Sequence, residues 1–150
     1  MEATYRHATV DKFVFKVKTG CWYSEAGLWV QLEHSLARVG VSDYVQQSSG
    51  DVAFAEITSA GTELEREGYL GQIETIKVAI DLPSPVSGTV QEINEELDAS
   101  PELINQDPYG QGWLALIALN DWEADRANLL EAEQYLAVMR SQAEEAAKKL

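Results

Sequence analysis

The sequence is poor in the residues that build catalytic and metal sites. Its 150 residues include one cysteine, Cys21, and two histidines, His7 and His34. A lone cysteine forms no internal disulfide, and no Cys/His cluster has zinc-like spacing. The histidines stand apart, and each reads as a surface or packing residue. No run of roughly 18 apolar residues is present, so no membrane span is expected. The start, Met1-Glu2-Ala3-Thr4-Tyr5, lacks the basic and apolar stretches of a secretory signal, and a cytoplasmic protein is the expectation. Cations are also scarce. Lys and Arg number 11 against 25 Asp and Glu, a formal net charge of -14 at pH 7. That excess argues against nucleic acid, whose phosphates are bound by Lys and Arg through counterion release. It also disfavours an anionic membrane surface. Docking on basic partner surfaces and simple solubility both remain open. No paired carboxylates, Ser/His/Asp set or phosphate loop is apparent, so an independent enzyme finds no support.

What is present is ordinary for a globular chain: 45% hydrophobic and 24% charged residues. The length suits a single domain, residues 1–150. Phe13 to Val17 reads as a strand. Leu28 to Glu33 and Leu36 to Val41 read as a pair joined through Glu33-His34-Ser35. Ser42 caps a helical turn through Gln47, and Val52 to Ile57 alternates again as a strand. Residues 61–64 and 67–69 are turn-rich connections. A hairpin is expected at about 70–83, and Gly88 to Ile93 and Trp113 to Leu119 are further strands. Ser100 followed by Pro101 fits an N-cap with proline at the first helical position. A C-terminal helix is expected over about 121–147. Its apolar stripe comprises Ala132, Leu136, Met139, Ala143, Ala147 and Leu150, and packing on the β structure is its expected role. Short strands broken by Gly and Pro indicate a mainly β chain of the small sandwich or barrel kind.

Lys77 is out of pattern. The chain has six lysines, and Lys77 alone lies between Lys18 and Lys148, flanked by the apolar Ile76 and Val78. At a hairpin tip such an amine would be exposed and easy for a modifying enzyme to reach. A primary amine forms an amide with a carboxylic cofactor and loses its charge in doing so. The flexible stem then lengthens the cofactor into an arm that visits several active sites. With lipoate, the dithiolane supplies thiol–disulfide exchange and group transfer. On position alone, an ordinary exposed strand lysine is the stronger reading.

The surrounding motifs reverse that preference. Glu74-Thr75-Ile76-Lys77-Val78-Ala79 resembles the lipoyl-lysine motif of glycine cleavage H proteins, with its Glu-Ser/Thr-hydrophobic-Lys core. Ser84-Pro85-Val86-Ser87-Gly88-Thr89-Val90 resembles the family's Ala-Pro-Val-Ser-Gly-x-Val segment. Asn94-Glu95-Glu96-Leu97 with Pro101-Glu102-Leu103-Ile104-Asn105 resembles its Asn-x-x-Leu…Pro-x-Leu-(Val/Ile)-Asn run. Asp107-Pro108-Tyr109-Gly110-Gln111-Gly112-Trp113-Leu114 resembles its Asp-Pro-Tyr-Gly-x-Gly-Trp-Leu signature. Val39-Gly40-Val41-Ser42-Asp43-Tyr44 with Gly50-Asp51 resembles Val-Gly-Ile-Thr-Asp-Tyr and the following Gly-Asp. The likeness runs from about Trp29 to Tyr135. It implies a flattened β-barrel or sandwich of the lipoyl-domain (barrel-sandwich hybrid) type, with short helices and a C-terminal α-helix. It implies lipoate on Lys77, attached by a lipoate-protein ligase or a transferase that reads the hairpin residues Glu74, Thr75, Ile76 and Val78. The matched glycines and Asp107-Pro108 are expected to serve structure. Biotin carriers usually place methionines beside the lysine, which Ile76 and Val78 are not.

Three departures stand out. H proteins usually carry Thr-His-Glu-Trp-Val near the N-terminus. Counting back from Val39-Gly40 places Trp29 on the tryptophan and Gly27-Leu28 on the His-Glu pair. Thr19-Gly20-Cys21-Trp22 is the other alignment, and the pair is absent there too. Cys21, beside Trp22 and Tyr23, reads as a partly buried thiol or as a candidate redox neighbour of a lipoyl disulfide. The segment beyond Tyr135 exceeds a typical H protein. With these departures the chain resembles the H-like lipoate-binding proteins of heterodisulfide-reductase-like sulfur oxidation. The partner expected first is thus a heterodisulfide-reductase-like complex, and second the glycine cleavage enzymes served by an aminomethyl carrier. An unmodified interaction scaffold is the third alternative.

Overall fold

A computed structural model of the chain describes residues 4–149. In chain order, β1 (Tyr5–Val10) and β2 (Phe13–Lys18) form a two-stranded hairpin. β3 (Trp22–Tyr23), β4 (Leu28–Glu33) and β5 (Leu36–Val41) lead to helix α1 (Asp43–Ser49). β6 (Val52–Ile57), β7 (Glu63–Leu64), β8 (Tyr69–Thr75), β9 (Ala79–Pro83) and β10 (Gly88–Ile93) follow. The short helices α2 (Glu96–Ala99) and α3 (Leu103–Gln106) then precede β11 (Ala115–Leu119). The chain ends in α4 (Trp122–Arg126), β12 (Leu130–Glu131) and α5 (Ala132–Lys148).

Seven strands form one sheet in the order β12-β3-β4-β5-β11-β10-β7, and β6-β8-β9 form a separate three-stranded sheet. Between them lies one core, with Val30, Val39, Leu70, Ile73, Leu82, Ile104 and Ile117 fully buried. This is the mainly β, lipoyl-domain architecture expected from the sequence. The hairpin of 69–83 is antiparallel, with Ile73 opposite Ile80 and Glu74 opposite Ala79.

A second core lies outside the first. Ala8, Val10, Phe15 and Val17 of the N-terminal hairpin, Tyr23 and Trp29, and Tyr135, Met139 and Ala143 of α5 share it. Tyr23 and Tyr135 stack with centroids 4.5 Å apart and planes 2° from parallel. The helix stripe packs inward as expected, although Tyr135 is its largest buried member and Leu136 is only half-buried. Leu150 lies outside the described residues.

Three expectations change. The helix drawn over about 121–147 is two helices. Asp121 caps α4 by accepting from the Ala124 N–H, and α4 stops at Arg126. Leu130–Glu131 then pairs with Trp22–Tyr23 as a sheet edge before α5 begins. Pairing an edge strand outweighed continuous helix, and composition carried no sign of it. Ser100 does not cap with its side chain. It ends α2, and α3 starts two residues after Pro101, with Glu102 at its N-cap. The strand at 13–17 has a partner, β1, that periodicity did not reveal. His7 and Lys16 face each other across that pair.

Candidate functional site

β8 ends at Thr75 and β9 begins at Ala79, which leaves Ile76, Lys77 and Val78 as the connection. The Thr75 N–H donates to the Val78 carbonyl at 2.8 Å and closes the turn. The Thr75 Oγ1 accepts from the N–H groups of Lys77 and Val78, each at 3.2 Å, and lies 3.4 Å from the Val78 carbonyl. One hydroxyl thus satisfies two backbone donors that no strand reaches. This explains why a hydroxyl residue belongs two positions before the lysine. Ile76 is 94% exposed and Val78 43% exposed, so two apolar side chains flank the lysine in solvent. Glu74 and Lys77 are exposed as well.

The Lys77 side chain runs over Gly50. A Cβ added there would lie 3.3 Å from the lysine Cε. Its Nζ donates to the Ser48 carbonyl at 3.3 Å, a long and weak bond. Among the described residues no carboxylate forms an ion pair with Lys77. The amine is therefore exposed, with only this weak bond to the scaffold, while its stem has a defined bed.

That bed is held from below. Gly50 ends α1 with φ 90° and ψ -169°, a conformation open to glycine. Asn105 clamps the same corner. It accepts from the Val52 N–H at 2.8 Å and donates to the Gly50 carbonyl at 3.0 Å and the Gln46 side chain at 3.1 Å. At the other end of α1, Ser42 caps by accepting from the Val45 N–H. The buried Asp43 carboxylate accepts from the Lys16 N–H at 2.9 Å and from Gln46 and Gln47. The Tyr109 hydroxyl donates to the Lys16 carbonyl at 2.9 Å. Burial pushes that phenol up, beyond the reach of neutral pH. Trp29 lies over Gly40, where a Cβ would meet the indole at 2.5 Å, and its Nε1 donates to the Pro108 carbonyl at 2.9 Å. The motifs at 39–44, 50–51, 101–105 and 107–114 thus converge on the support of one corner. Gly40 and Asp107 fit the structural role expected of them, Gly40 by its close approach to Trp29 and Asp107 by accepting from the Gln111 N–H at 2.9 Å.

Comparison with known proteins fits this geometry. The family model for the glycine cleavage H-protein matches residues 21–142. The chain belongs to the glycine cleavage H-protein family. It is 41% identical over 128 residues to a probable glycine cleavage system H protein of Pyrococcus abyssi, covering 85% of this chain and 95% of that one. It is 43% identical over 120 residues to the glycine cleavage system H protein of Syntrophomonas wolfei, covering 80% and 91%. The crystal structure of a glycine cleavage system H protein from Mycobacterium marinum superposes with a TM-score of 0.69 at 26% identity, covering 79% of this chain and 94% of that chain. H proteins of this family carry lipoate covalently on a lysine, as carriers rather than catalysts. These names speak for glycine cleavage better than for the sulfur-oxidation system put first above.

Two of the departures from the H-protein pattern, at Gly27-Leu28 and at Cys21, fall at packed positions. Gly27 adopts φ 91°, and a Cβ there would meet Val45 Cγ2 at 2.5 Å and the Tyr135 hydroxyl at 3.0 Å. No histidine fits that space. Leu28 is buried in the main core. Where the family places a polar pair, this chain has tight packing. Cys21 is 4% exposed in the second core. Burial raises its thiol to about 11, with Lys18 opposing the shift. A buried, protonated thiol is a poor partner for exchange, and Cys21 is not among the residues that surround the Lys77 side chain. Burial favours the packing reading of Cys21 over the redox-neighbour one. Among the described residues no group of three or more His, Cys, Asp or Glu could hold a metal ion. No helix among them is long and apolar enough to cross a membrane.

Proposed function

We propose that Lys77 carries the lipoyl group and that residues 1–150 act as one carrier domain, presenting this arm to successive enzymes. The observation that carries the reading is the exposed amine at the tip of a hydroxyl-locked hairpin, with Ile76 and Val78 beside it. The charge-free amide formed on acylation suits this surface, because no carboxylate partner is left unpaired. When bound, the dithiolane supplies reversible thiol–disulfide and group-transfer chemistry. The chain's own residues hold the tip, orient the stem over Gly50 and offer Glu74, Ile76 and Val78 to a lipoate-protein ligase.

Of the two systems, glycine cleavage has the stronger support, through the relatives' names and their coverage. In that reading the chain is the aminomethyl carrier and its partners are the glycine cleavage enzymes. One observation favours sulfur oxidation with a heterodisulfide-reductase-like complex: Gly27 and Leu28 leave only packing where H proteins keep a polar pair. Mixing lipoylated protein with glycine decarboxylase and labelled bicarbonate separates the two. Rapid label exchange supports glycine cleavage. Its absence from fully lipoylated protein, with a working reference H protein alongside, removes that reading. A cytoplasmic setting belongs to the proposal, in keeping with a single, buried, unpaired cysteine.

A further inference from the structure

The net charge of -14 hides two regions of opposite sign. Residues 21–142, the segment shared with the H-protein family, hold 21 Asp and Glu against five Lys and Arg. Residues 5–18 reverse the balance, with four Lys and Arg against a single acid, Asp11. Those residues are the β1–β2 hairpin. Across the pair His7 faces Lys16 and Thr9 faces Val14, and all four are exposed on the side opposite the buried Ala8 and Phe15. Alternation places Lys18 on the same side, and Asp11-Lys12 is the two-residue turn, with Lys12 at the apex. Arg6 is paired with Glu133, but no carboxylate among the described residues pairs with Lys12, Lys16 or Lys18. Beside these lysines Val14 is 54% exposed and Phe13 47% exposed. The ribbon is held firmly along its outer edge. The Val14 carbonyl accepts from Gln47 at 3.0 Å, and the Lys16 N–H donates to Asp43 at 2.9 Å. The carbonyls of Lys16 and Lys18 accept from the Tyr109 and Tyr23 hydroxyls at 2.9 and 2.6 Å. Side chains thus occupy the strand edge, so a partner meets this ribbon through its exposed face and not by strand addition.

We propose that the β1–β2 ribbon is a docking face for a partner protein that presents clustered Asp and Glu beside its active-site entrance. This role rests on the reading of Lys77 as the carrier lysine, and it assigns partner choice to residues outside the family segment. Three features support it. The ribbon's lysines are complementary to an acidic patch, whereas the rest of the chain repels one. Val10, Asp11 and Phe13 at the ribbon's turn line the same surface groove as Lys77, so contact there brings the hairpin tip to the partner. The exposed Phe13 and Val14 add apolar area to a cationic surface, the composition of a protein contact. Screening makes the arrangement workable. With a Debye length of about 8 Å at physiological ionic strength, a local acidic patch feels the ribbon and not the acidic body behind it. A flat anionic bilayer would extend past the ribbon to that body as well, which favours a protein.

The test uses the full chain without lipoate, with poly-L-glutamate as the probe at an ionic strength of about 0.1 M, where the Debye length is about 10 Å. Vesicles of phosphatidylserine and phosphatidylcholine and a DNA duplex are run in parallel. Despite its net charge of -14, the chain should bind polyglutamate saturably, with the largest amide shift changes at Lys12, Val14, Lys16 and Lys18. Changing Lys12, Lys16 and Lys18 together to Gln should weaken binding about tenfold, and Lys12→Glu alone, at an exposed turn apex, about threefold. Neither change removes a backbone bond of the ribbon, and near-UV circular dichroism checks that both variants are folded. Arg126→Glu, on α4, should bind as wild type does. Salt at about 0.5 M should abolish the interaction. Absence of binding, shift changes confined to other segments, or unchanged affinity in the folded triple variant overturns the docking face. Tighter binding to vesicles or duplex than to polyglutamate overturns the acidic protein as its partner. Because this assay needs no acylation, a failure of the carrier reading shows separately, as a Lys77 that a lipoate-protein ligase does not load.

Discussion

Thr75 offers a sharp perturbation of the tip, because one oxygen holds two backbone donors. Thr75→Val keeps the branched shape and deletes the Oγ1 that accepts from Lys77 and Val78 at 3.2 Å each. Net hydrogen bonds contribute about 0.5–1.5 kcal/mol apiece, and a buried orphan costs more. Here the tip is exposed, so water re-satisfies both amides and the loss should fall near the low end, about 1 kcal/mol for the pair. The Thr75 N–H to Val78 carbonyl bond remains, so the hairpin loosens without coming apart. For a chain of this size about 1 kcal/mol corresponds to a Tm lower by about 2–4 °C. If ligase reads the ordered tip, the same energy lowers kcat/KM for lipoylation about fivefold. Amide exchange at Lys77 and Val78 should accelerate by a similar factor, and Thr75→Ser should restore both. Wild-type exchange rates and wild-type lipoylation in Thr75→Val would refute the role given to this hydroxyl.

Other perturbations probe the bed and the departures. Gly50→Ala forces a side chain into φ 90° and crowds the Lys77 Cε at 3.3 Å, so a loss of about 1–3 kcal/mol is expected in denaturant melts. Gly27→Ala should cost at least as much, because φ 91° is joined by a 2.5 Å approach to Val45, and a wild-type melting curve would show that the site has room for a side chain. The Cys21 thiol is raised from 9.0 to about 11, so the folded state holds its proton more tightly than the unfolded state. Its contribution to stability is complete below pH 9 and is lost as pH climbs toward about 11, a slope that Cys21→Ala should remove from unfolding midpoints measured across that window.

The legibility of the chain differed by region, and the reasons are physical. Strands such as β4 announce themselves through alternation in the sequence, as in Leu28, Val30 and Leu32, although in the fold Trp29 is buried on the opposite face as well. The lysine was legible through its neighbours: Thr75 and the flanking apolar pair have roles that depend only on local sequence. Asn105 was visible as part of a motif, yet its clamp on Gly50 and Val52 spans more than 50 residues and no local pattern encodes it. Likewise β1 carries few strand signals, with His7 and Thr9 on one face, and becomes a strand because β2 and α5 cover Ala8 and Val10. The break between α4 and α5 was hidden for a similar reason. Leu130 and Glu131 leave helix because an edge at Trp22 and Tyr23 awaits a partner. Cys21 could be read only as an unusual residue, since its burial depends on segments distant in the chain, Tyr109 and Tyr135 among them.

The central claim is that acylation falls on Lys77. Wild-type protein and Lys77→Arg, incubated with lipoate, ATP and a lipoate-protein ligase, should be compared by intact mass with peptide mapping of every lysine. The account expects one added lipoyl group in wild type, all of it on the peptide containing Lys77. It expects none in Lys77→Arg, whose stability should remain within about 0.5 kcal/mol of wild type because an exposed tip residue packs little. Modification on any of the other five lysines, or an unmodified wild type beside a well-loaded reference H protein, would contradict it.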